Sequence, residues 1–236
     1  MSRAVAAVGL TAAAVAHAGP SLATTVPPVA AALGLKRREE HAGADEVFLT
    51  FDDGPHPQGT PAVLDLLREA NAEATFFLAG EQVVQRPALV AEIVAAGHRV
   101  ELHCFHHRNQ LRLAPRSLIE DGERAKAAIE EAGGQEVRDY RPPYGIFSGS
   151  GLRAIRRRGW RSVLWSQWGR DWDRSATPDS IATRVSADAR AGDILLLHDA
   201  DYYSARDSWV RTVAALPRIL EELEARGLRS RLLRRR

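Results

Sequence analysis

The stretch EVFLTFDDGP, residues 46–55, shows how this chain is built. Five strand-forming residues at 47–51 lead directly into Asp52 and Asp53, and a Gly-Pro pair then ends the strand. Two like charges at the carboxyl end of a buried strand cost free energy unless a metal ion, a proton or an arginine compensates them. The stretch therefore predicts a buried strand with a functional site at its carboxyl end.

Strand and helix patterns alternate along the rest of the chain. Apolar runs of strand-forming residues are followed by segments with helical spacing, and these helices end at Gly or Pro. Such alternation indicates an α/β fold with a parallel sheet, and about seven strands favour a (β/α) barrel over an open sheet, although periodicity alone does not decide between them. The predicted strands are 47–51, 74–78, 99–102, 139–141, 162–166, 194–197 and 228–233, and the predicted helices are 60–71, 88–96, 115–132, 151–158, 178–191 and 209–225.

The amino-terminal residues predict two segments that precede the main domain. Residues 1–18 combine Arg3, a modest apolar run and the small-x-small triplet Ala16-His17-Ala18, which favours an export signal or a short anchor over an Ala-rich helix packed on the domain. Residues 19–44 contain three prolines and a charged patch, so we expect a linker or an irregular lead-in. The main domain is then expected at residues 45–236.

The composition and net charge of the chain exclude few classes of function. A chain of 236 residues can bury a full core, and a net charge of +2 implies no general affinity for polyanions. The arginine-rich tail at 226–236 is interpreted as a solvated terminus, so no nucleic acid partner is expected. Cys104 is the only cysteine, which excludes an intrachain disulfide.

Polar residues cluster just after the ends of the predicted strands. In β/α barrels the carboxyl ends of the strands build the functional site, so these groups are expected to meet in one place. One of them lies on the loop after the fifth strand, and the others follow strands directly. The residues are Asp52, Asp53, His103, Arg141, Asp171, His198 and Asp199.

The segment LHCFHHRN contains candidate metal ligands. His103 and His107 are four residues apart, and on a helical segment they would lie on one face and could hold one divalent metal ion. His106 leaves the pair His103/His106 as an alternative. One carboxylate from the aspartate pair would complete a set with open coordination positions, which is typical of a catalytic metal site.

Five motifs appear in a fixed order along the chain: TFDDGP at 50–55, HCFHH at 103–107, RPPYG at 141–145, RDW at 170–172 and LLLHD at 195–199. Together they resemble the five motifs of the polysaccharide deacetylase family, also called carbohydrate esterase family 4 or the NodB-like domain. The resemblance covers about residues 46–230. It implies a distorted (β/α) barrel and a metal-dependent N-deacetylase that hydrolyses acetamido groups of N-acetylglucosamine polysaccharide, peptidoglycan or chitin oligomers, and releases acetate.

The resemblance also implies roles for the residues at the first and second motifs. Asp52 would be the catalytic base, and Arg141 would pair with it and keep it ionised. Asp53 would bind the metal together with His103 and His107. One divalent metal is implied, with zinc expected and cobalt or nickel as alternatives.

The remaining motifs supply the acid and the substrate pocket by the same resemblance. Asp171 would orient and charge His198, the general acid. The backbone N–H of Tyr144 would help to hold the oxyanion. Trp172 and Leu196 would line the pocket for the acetyl methyl group.

Several positions depart from the family pattern. Cys104 stands where Ser or Thr is usual, and we expect a small buried neighbour rather than a sulfur ligand. Glu101 and Leu102 replace a frequent Gly and a usual Asn, and Trp168 replaces a common Asp. These differences affect the expected substrate cleft more than the expected chemistry.

Two other functions remain open on the same fold. Some relatives hydrolyse small cyclic imides or ureides, and a sugar-binding relative without catalysis would be expected to lose Asp52 or His198, both of which are present. A wall polymer as substrate requires export, so we expect an extracytoplasmic or envelope-associated protein, and a cytoplasmic one if export fails. A carbohydrate partner and a monomer are expected, with membrane contact only if residues 1–18 are retained as an anchor.

Overall fold

A curled sheet of parallel strands forms the centre of the computed structural model, which describes residues 3–234. Seven strands follow the order β5-β4-β3-β2-β1-β7-β6, and β8 pairs with the start of β1. All of the neighbouring strands are parallel. The strands are β1 (Glu46–Asp52), β2 (Ala74–Ala79), β3 (Arg99–Cys104), β4 (Asp139–Tyr140), β5 (Arg161–Ser162), β6 (Gln167–Trp168), β7 (Ile194–His198) and β8 (Arg229–Ser230).

The sheet curls into a half-barrel because its two edges are joined by a short piece of chain. Strands β5 and β6 lie at opposite ends of the strand order, yet only residues 163–166 connect them. A residue spans at most about 3.6 Å, so the two edges must come close together. The predicted distorted (β/α) barrel of about seven parallel strands is therefore confirmed.

Helices surround the sheet and cover its outer face. The central strands β1, β2 and β7 are buried along almost their whole length, which is why their sequences are apolar on both faces. The helices are α1 (Arg3–Ala18), α2 (Pro27–Ala32), α3 (Gly59–Glu69), α4 (Gly80–Val83), α5 (Pro87–Ala95), α6 (Pro115–Gly133), α7 (Gly149–Arg157), α8 (Pro178–Ser186) and α9 (Ser208–Ala225).

The predicted fifth strand at 162–166 is wrong as a single element. The structure has two short strands there instead, one on each edge of the sheet. Leu164 N donates to Lys36 O at 2.7 Å, and Ser166 N donates to Ile194 O at 2.9 Å, so the backbone changes partner within two residues. The apolar pattern correctly predicts burial, since Val163, Leu164 and Trp165 are in the core. It does not show that the chain passes here from one edge of the sheet to the other.

The residues before the main domain form short helices that contact the barrel. A 3-10 helix, Gly19–Thr24, lies between α1 and α2. Thr24 Oγ1 donates to Gly145 O at 2.5 Å, which ties this segment to a loop at the carboxyl end of the sheet. Across residues 3–234 no helix combines the length and apolar character needed to cross a membrane.

Candidate active site

The register of the sheet brings the predicted base, Asp52, and the predicted acid, His198, side by side. Asp52 is the last residue of β1 and pairs with His198, the last residue of β7. Leu196 lies two residues before His198 and therefore on the same face of β7. Arg141 follows β4 directly, and its backbone N–H donates to Leu102 O at 3.0 Å.

A fully buried ion pair fixes Asp52. Arg141 Nη1 lies 2.7 Å from Asp52 Oδ1, and the same nitrogen donates to Thr50 Oγ1 at 2.9 Å. The guanidinium carbon lies 4.0 Å from the centre of the Phe77 ring. A buried charge without a partner is costly, so each member of this pair makes the burial of the other tolerable.

The second aspartate faces a different set of groups. Asp53 Oδ1 lies 3.3 Å from His103 Nε2 and 3.5 Å from His107 Nε2. One ligand atom from each of the three residues lies within 4.8 Å of the other two. The side chains of Asp53 and His103 are 3% and 2% exposed, so water does not compensate this cluster.

The cluster fits a divalent metal ion. Asp53 Oδ1 is buried and, among the described residues, has no hydrogen bond of good geometry. Burial opposes ionisation of Asp53, but the nearby imidazole of His103 and the positive charges of His198 and His107 outweigh it and lower its pKa to about 2. Burial, only partly offset by Asp53, lowers the pKa of His107 to about 4. An ionised carboxylate and a neutral imidazole are the forms that bind metal.

His106 is excluded from this cluster by its position. Its side chain is 47% exposed, and its Nδ1 lies 2.8 Å from Asp121 Oδ1. The expected helical turn after β3 is absent, because residues 105–109 are irregular. Asp121 of α6 instead accepts the backbone N–H of Phe105 at 2.8 Å, and the loop returns His107 to the site.

His198 is held by a buried carboxylate on the opposite side of the site. Its Nδ1 lies 2.9 Å from Asp171 Oδ1, and its backbone N–H donates to Asp171 Oδ2 at 2.7 Å. Thr212 Oγ1 also donates to Asp171, at 2.8 Å. Burial opposes the charged form of His198, but the charge and hydrogen bond of Asp171 outweigh it and raise its pKa to about 10.

Aromatic residues border the same site. The Trp172 ring meets His198 edge-on with centroids 5.4 Å apart, and Trp168 lies 5.3 Å from Trp172. Leu196 is 2% exposed in the strand beside them. Tyr144 has φ 61° and ψ 5°, the left-handed region, and its ring is 55% exposed. This conformation is unusual for a residue with a side chain and is a frequent feature of functional loops.

Cys104 and Asp199 lie next to the site but are not part of the cluster formed by Asp53, His103 and His107. Cys104 is buried, and burial raises the pKa of its thiol, which agrees with its expected role as a neighbour. Asp199 accepts a hydrogen bond from Thr60, and burial raises its pKa to about 7. A side chain at Gly54 would place Cβ only 2.6 Å from Asp199, so glycine is required there.

Sequence reasoning missed Glu81 as a site residue. It lies in α4 directly after β2, and the Tyr203 hydroxyl donates to its carboxylate. The Tyr203 ring also stacks on the His107 ring, with centroids 4.3 Å apart. Glu81 is the second residue after the end of β2, so the rule that site residues follow strand ends could have identified it.

The fold and site together define a protein of the β/α barrel class with a buried carboxylate–arginine pair, a histidine paired with a buried carboxylate, and a set of residues that fits a divalent metal. Comparison with known proteins agrees with this class. Residues 39–163 match the model of the polysaccharide deacetylase family. The chain belongs to that family, whose members are hydrolases, and the resemblance seen in the five motifs is confirmed.

Two curated relatives and one solved structure illustrate the similarity. A chitooligosaccharide deacetylase of Sinorhizobium fredii is 41% identical over 194 residues, covering 78% of this chain and 88% of that protein. A peptidoglycan-N-acetylglucosamine deacetylase of Bacillus cereus is 38% identical over 185 residues, covering 78% and 84%. The structure of a family 4 carbohydrate esterase from Streptomyces lividans, in complex with acetate, has a TM-score of 0.70 and 33% identity, covering 79% of this chain and 91% of that one.

Proposed function

We propose that the protein hydrolyses acetamido groups of N-acetylglucosamine-containing polysaccharide, either chitin oligomers or peptidoglycan, and releases acetate. One observation carries this proposal. The adjacent aspartates face different partners: Asp52 lies 2.7 Å from Arg141, whereas Asp53 faces His103 and His107. An amide is a poor electrophile, and this division of roles provides a base and a ligand set in one place.

Asp52 acts as the general base in this proposal. Arg141 pairs with the carboxylate and aims it, so that Asp52 can accept a proton from the attacking water. The water oxygen forms the new bond to the acetyl carbon. The backbone N–H of Tyr144 donates to the oxyanion that develops on the acetyl oxygen, and Trp172 and Leu196 surround the methyl group.

His198 acts as the general acid. The amine must be protonated as the carbon–nitrogen bond breaks, and Asp171 keeps His198 charged for that purpose. The acetyl group leaves as acetate, and the sugar retains a free amine.

Asp53, His103 and His107 hold one divalent metal in this proposal. A ligand set of two imidazoles and one carboxylate supports zinc, with cobalt and nickel as alternatives. Such an ion supplies Lewis-acid polarisation of the amide carbonyl and makes water more acidic.

The relatives support two related polymers as substrates, because one is named for chitooligosaccharides and another for peptidoglycan. The test is acetate release from N-acetylchitooligosaccharides and from purified peptidoglycan, with mass spectrometry to count the acetyl groups lost. Deacetylation of either polymer supports the proposal. No deacetylation of either, together with hydrolysis of a cyclic imide, would favour the alternative function.

We further propose that the catalytic domain, residues 45–236, works as a monomer outside the cytoplasm. The features of residues 1–18 that are typical of an export signal support this location, as does a wall polymer as substrate. A reporter fused after residue 44 should then be found outside the membrane. A reporter retained in the cytoplasm would contradict the location and would favour a small amide substrate.

A further inference from the structure

His107 lacks a hydrogen bond to a carboxylate or carbonyl of another described residue, the contact that usually orients a metal-binding histidine. Metal-binding histidines commonly donate their second ring N–H to a carboxylate or carbonyl, which fixes the ring. His107 Nε2 faces Asp53, but its Nδ1 is buried, and no other residue in the described part of the chain accepts a hydrogen bond from it. Some other contact must therefore hold this imidazole in place.

Two tyrosines enclose the His107 ring instead. The Tyr203 ring is nearly parallel to it, with centroids 4.3 Å apart and an angle of 7° between the planes. Tyr144 meets the same imidazole edge-on, with centroids 4.5 Å apart and an angle of 71°. The two contacts leave the His107 side chain only 6% exposed. Rotation of the imidazole would disturb both contacts.

Tyr203 is itself fixed by a carboxylate on a neighbouring element. Its hydroxyl donates to Glu81 Oε1, and Glu81 lies in α4 directly after β2. A hydrogen bond to a charged acceptor is among the stronger ones in proteins. The loop after β7 is thereby attached to the end of β2.

We propose that Tyr203, held by Glu81, is a positioning residue that orients His107 in place of a hydrogen-bond acceptor and slows the loss of the bound metal. The proposal rests on the proposed function to the extent that a divalent ion occupies this cluster. Tyr203 acts through His107, so its first effect is on metal retention.

The test measures how fast zinc leaves the full-length protein. Each variant is loaded with zinc and mixed with an excess of a chromogenic chelator, and the release rate is followed by absorbance. Replacing a residue that orients a metal ligand typically lowers metal affinity about 10- to 100-fold, so Tyr203→Ala should release zinc at least about tenfold faster than the wild type. Tyr203→Phe keeps the stacked ring but loses the hydrogen bond to Glu81, and Glu81→Ala loses the same hydrogen bond. Both variants should therefore release zinc at a rate between those of Tyr203→Ala and the wild type.

Tyr202→Phe is the matched control. The Tyr202 ring packs against His56, whose ring in turn packs against Trp209, and neither of these contacts involves His107. The release rate of Tyr202→Phe should equal that of the wild type. A wild-type rate in Tyr203→Ala, or an equal acceleration in Tyr202→Phe, would overturn the proposal. Failure of the wild type to retain zinc would contradict the proposed metal site rather than the role of Tyr203. The two outcomes can be told apart, because without a metal site the wild type and every variant would release zinc at the same rate. A circular-dichroism spectrum of Tyr203→Ala that matches the wild type excludes general unfolding as the cause.

Discussion

Replacing Asp171 by Asn tests whether this carboxylate keeps His198 charged. The side chains are close in size. The single amide oxygen of Asn can still accept a hydrogen bond on one side, either from His198 Nδ1 or from Thr212 Oγ1, which lie 2.9 Å and 2.8 Å from the two Asp171 oxygens in the native protein. The negative charge is lost. Burial then opposes the charged form with only Asp53 and Asp52 left to favour it, so the pKa of His198 should fall from about 10 toward its ordinary value of 6.5.

The expected loss of activity follows from the protonated fraction. At pH 8 a group with a pKa of about 10 is almost fully protonated, whereas a group at 6.5 is about 3% protonated, so the loss of activity should be at most roughly 30-fold. A bound divalent ion lowers the pKa of His198 in both proteins, because like charges repel, so the difference between them is the quantity to test. The high-pH limb of the rate profile should therefore move toward lower pH in Asp171→Asn.

The assay is kcat/KM for acetate release from pH 5 to pH 10, with zinc content measured at each pH. Asp173→Asn is the matched control, since Asp173 is on the same loop and bonds to Ser175 rather than to His198. Its high-pH limb should match the wild type. An unchanged limb in Asp171→Asn would refute the assignment of Asp171 as the partner that charges His198.

Three further predictions concern the other side of the site. Asp52→Asn should reduce turnover by at least about 100-fold, because Asn cannot accept the proton of water, while zinc content by metal analysis stays unchanged. Loss of zinc would instead mean that the two aspartates have exchanged roles. Arg141→Met leaves Asp52 buried without its counter-charge and should lower the free energy of unfolding in urea by about 3–5 kcal/mol. A variant as stable as the wild type would show that this ion pair is not needed for folding. His107→Ala should weaken zinc binding in a competition titration, whereas His106→Ala should not, since His106 faces Asp121. Equal effects of the two substitutions would contradict the ligand set.

Sequence alone predicted the parts of the site that depend on local pattern. Apolar runs and the residues that end them place Asp52 and His198 at the carboxyl ends of strands, and the parallel register then brings them together. The alternation of strands and helices predicted a parallel sheet, and the resemblance to the polysaccharide deacetylase family implied the distorted barrel. The first of these inferences needs only short-range periodicity, and the placement of the site needs in addition the rule that the carboxyl ends of parallel strands share one functional edge.

The parts that sequence did not predict depend on contacts between distant residues. His107 reaches the site through an irregular loop held by Asp121, which no helical spacing could indicate. Glu101 stands where glycine is frequent in the family, and its carboxylate accepts the backbone N–H of both Arg138 and Asp139 at 2.8 Å. The split of the fifth strand follows from backbone pairing with Lys36 and Ile194.

Zinc-dependent acetate release is the measurement that tests the central claim most directly. The protein is stripped with a chelator, dialysed, and assayed on N-acetylchitooligosaccharides and peptidoglycan before and after one equivalent of zinc is added. We expect activity to be low in the stripped protein and to return with zinc in the wild type, but not in Asp52→Asn or in a variant lacking His103. Full activity in the metal-free protein, or no acetate release from either polymer by the zinc-loaded wild type, would contradict the account.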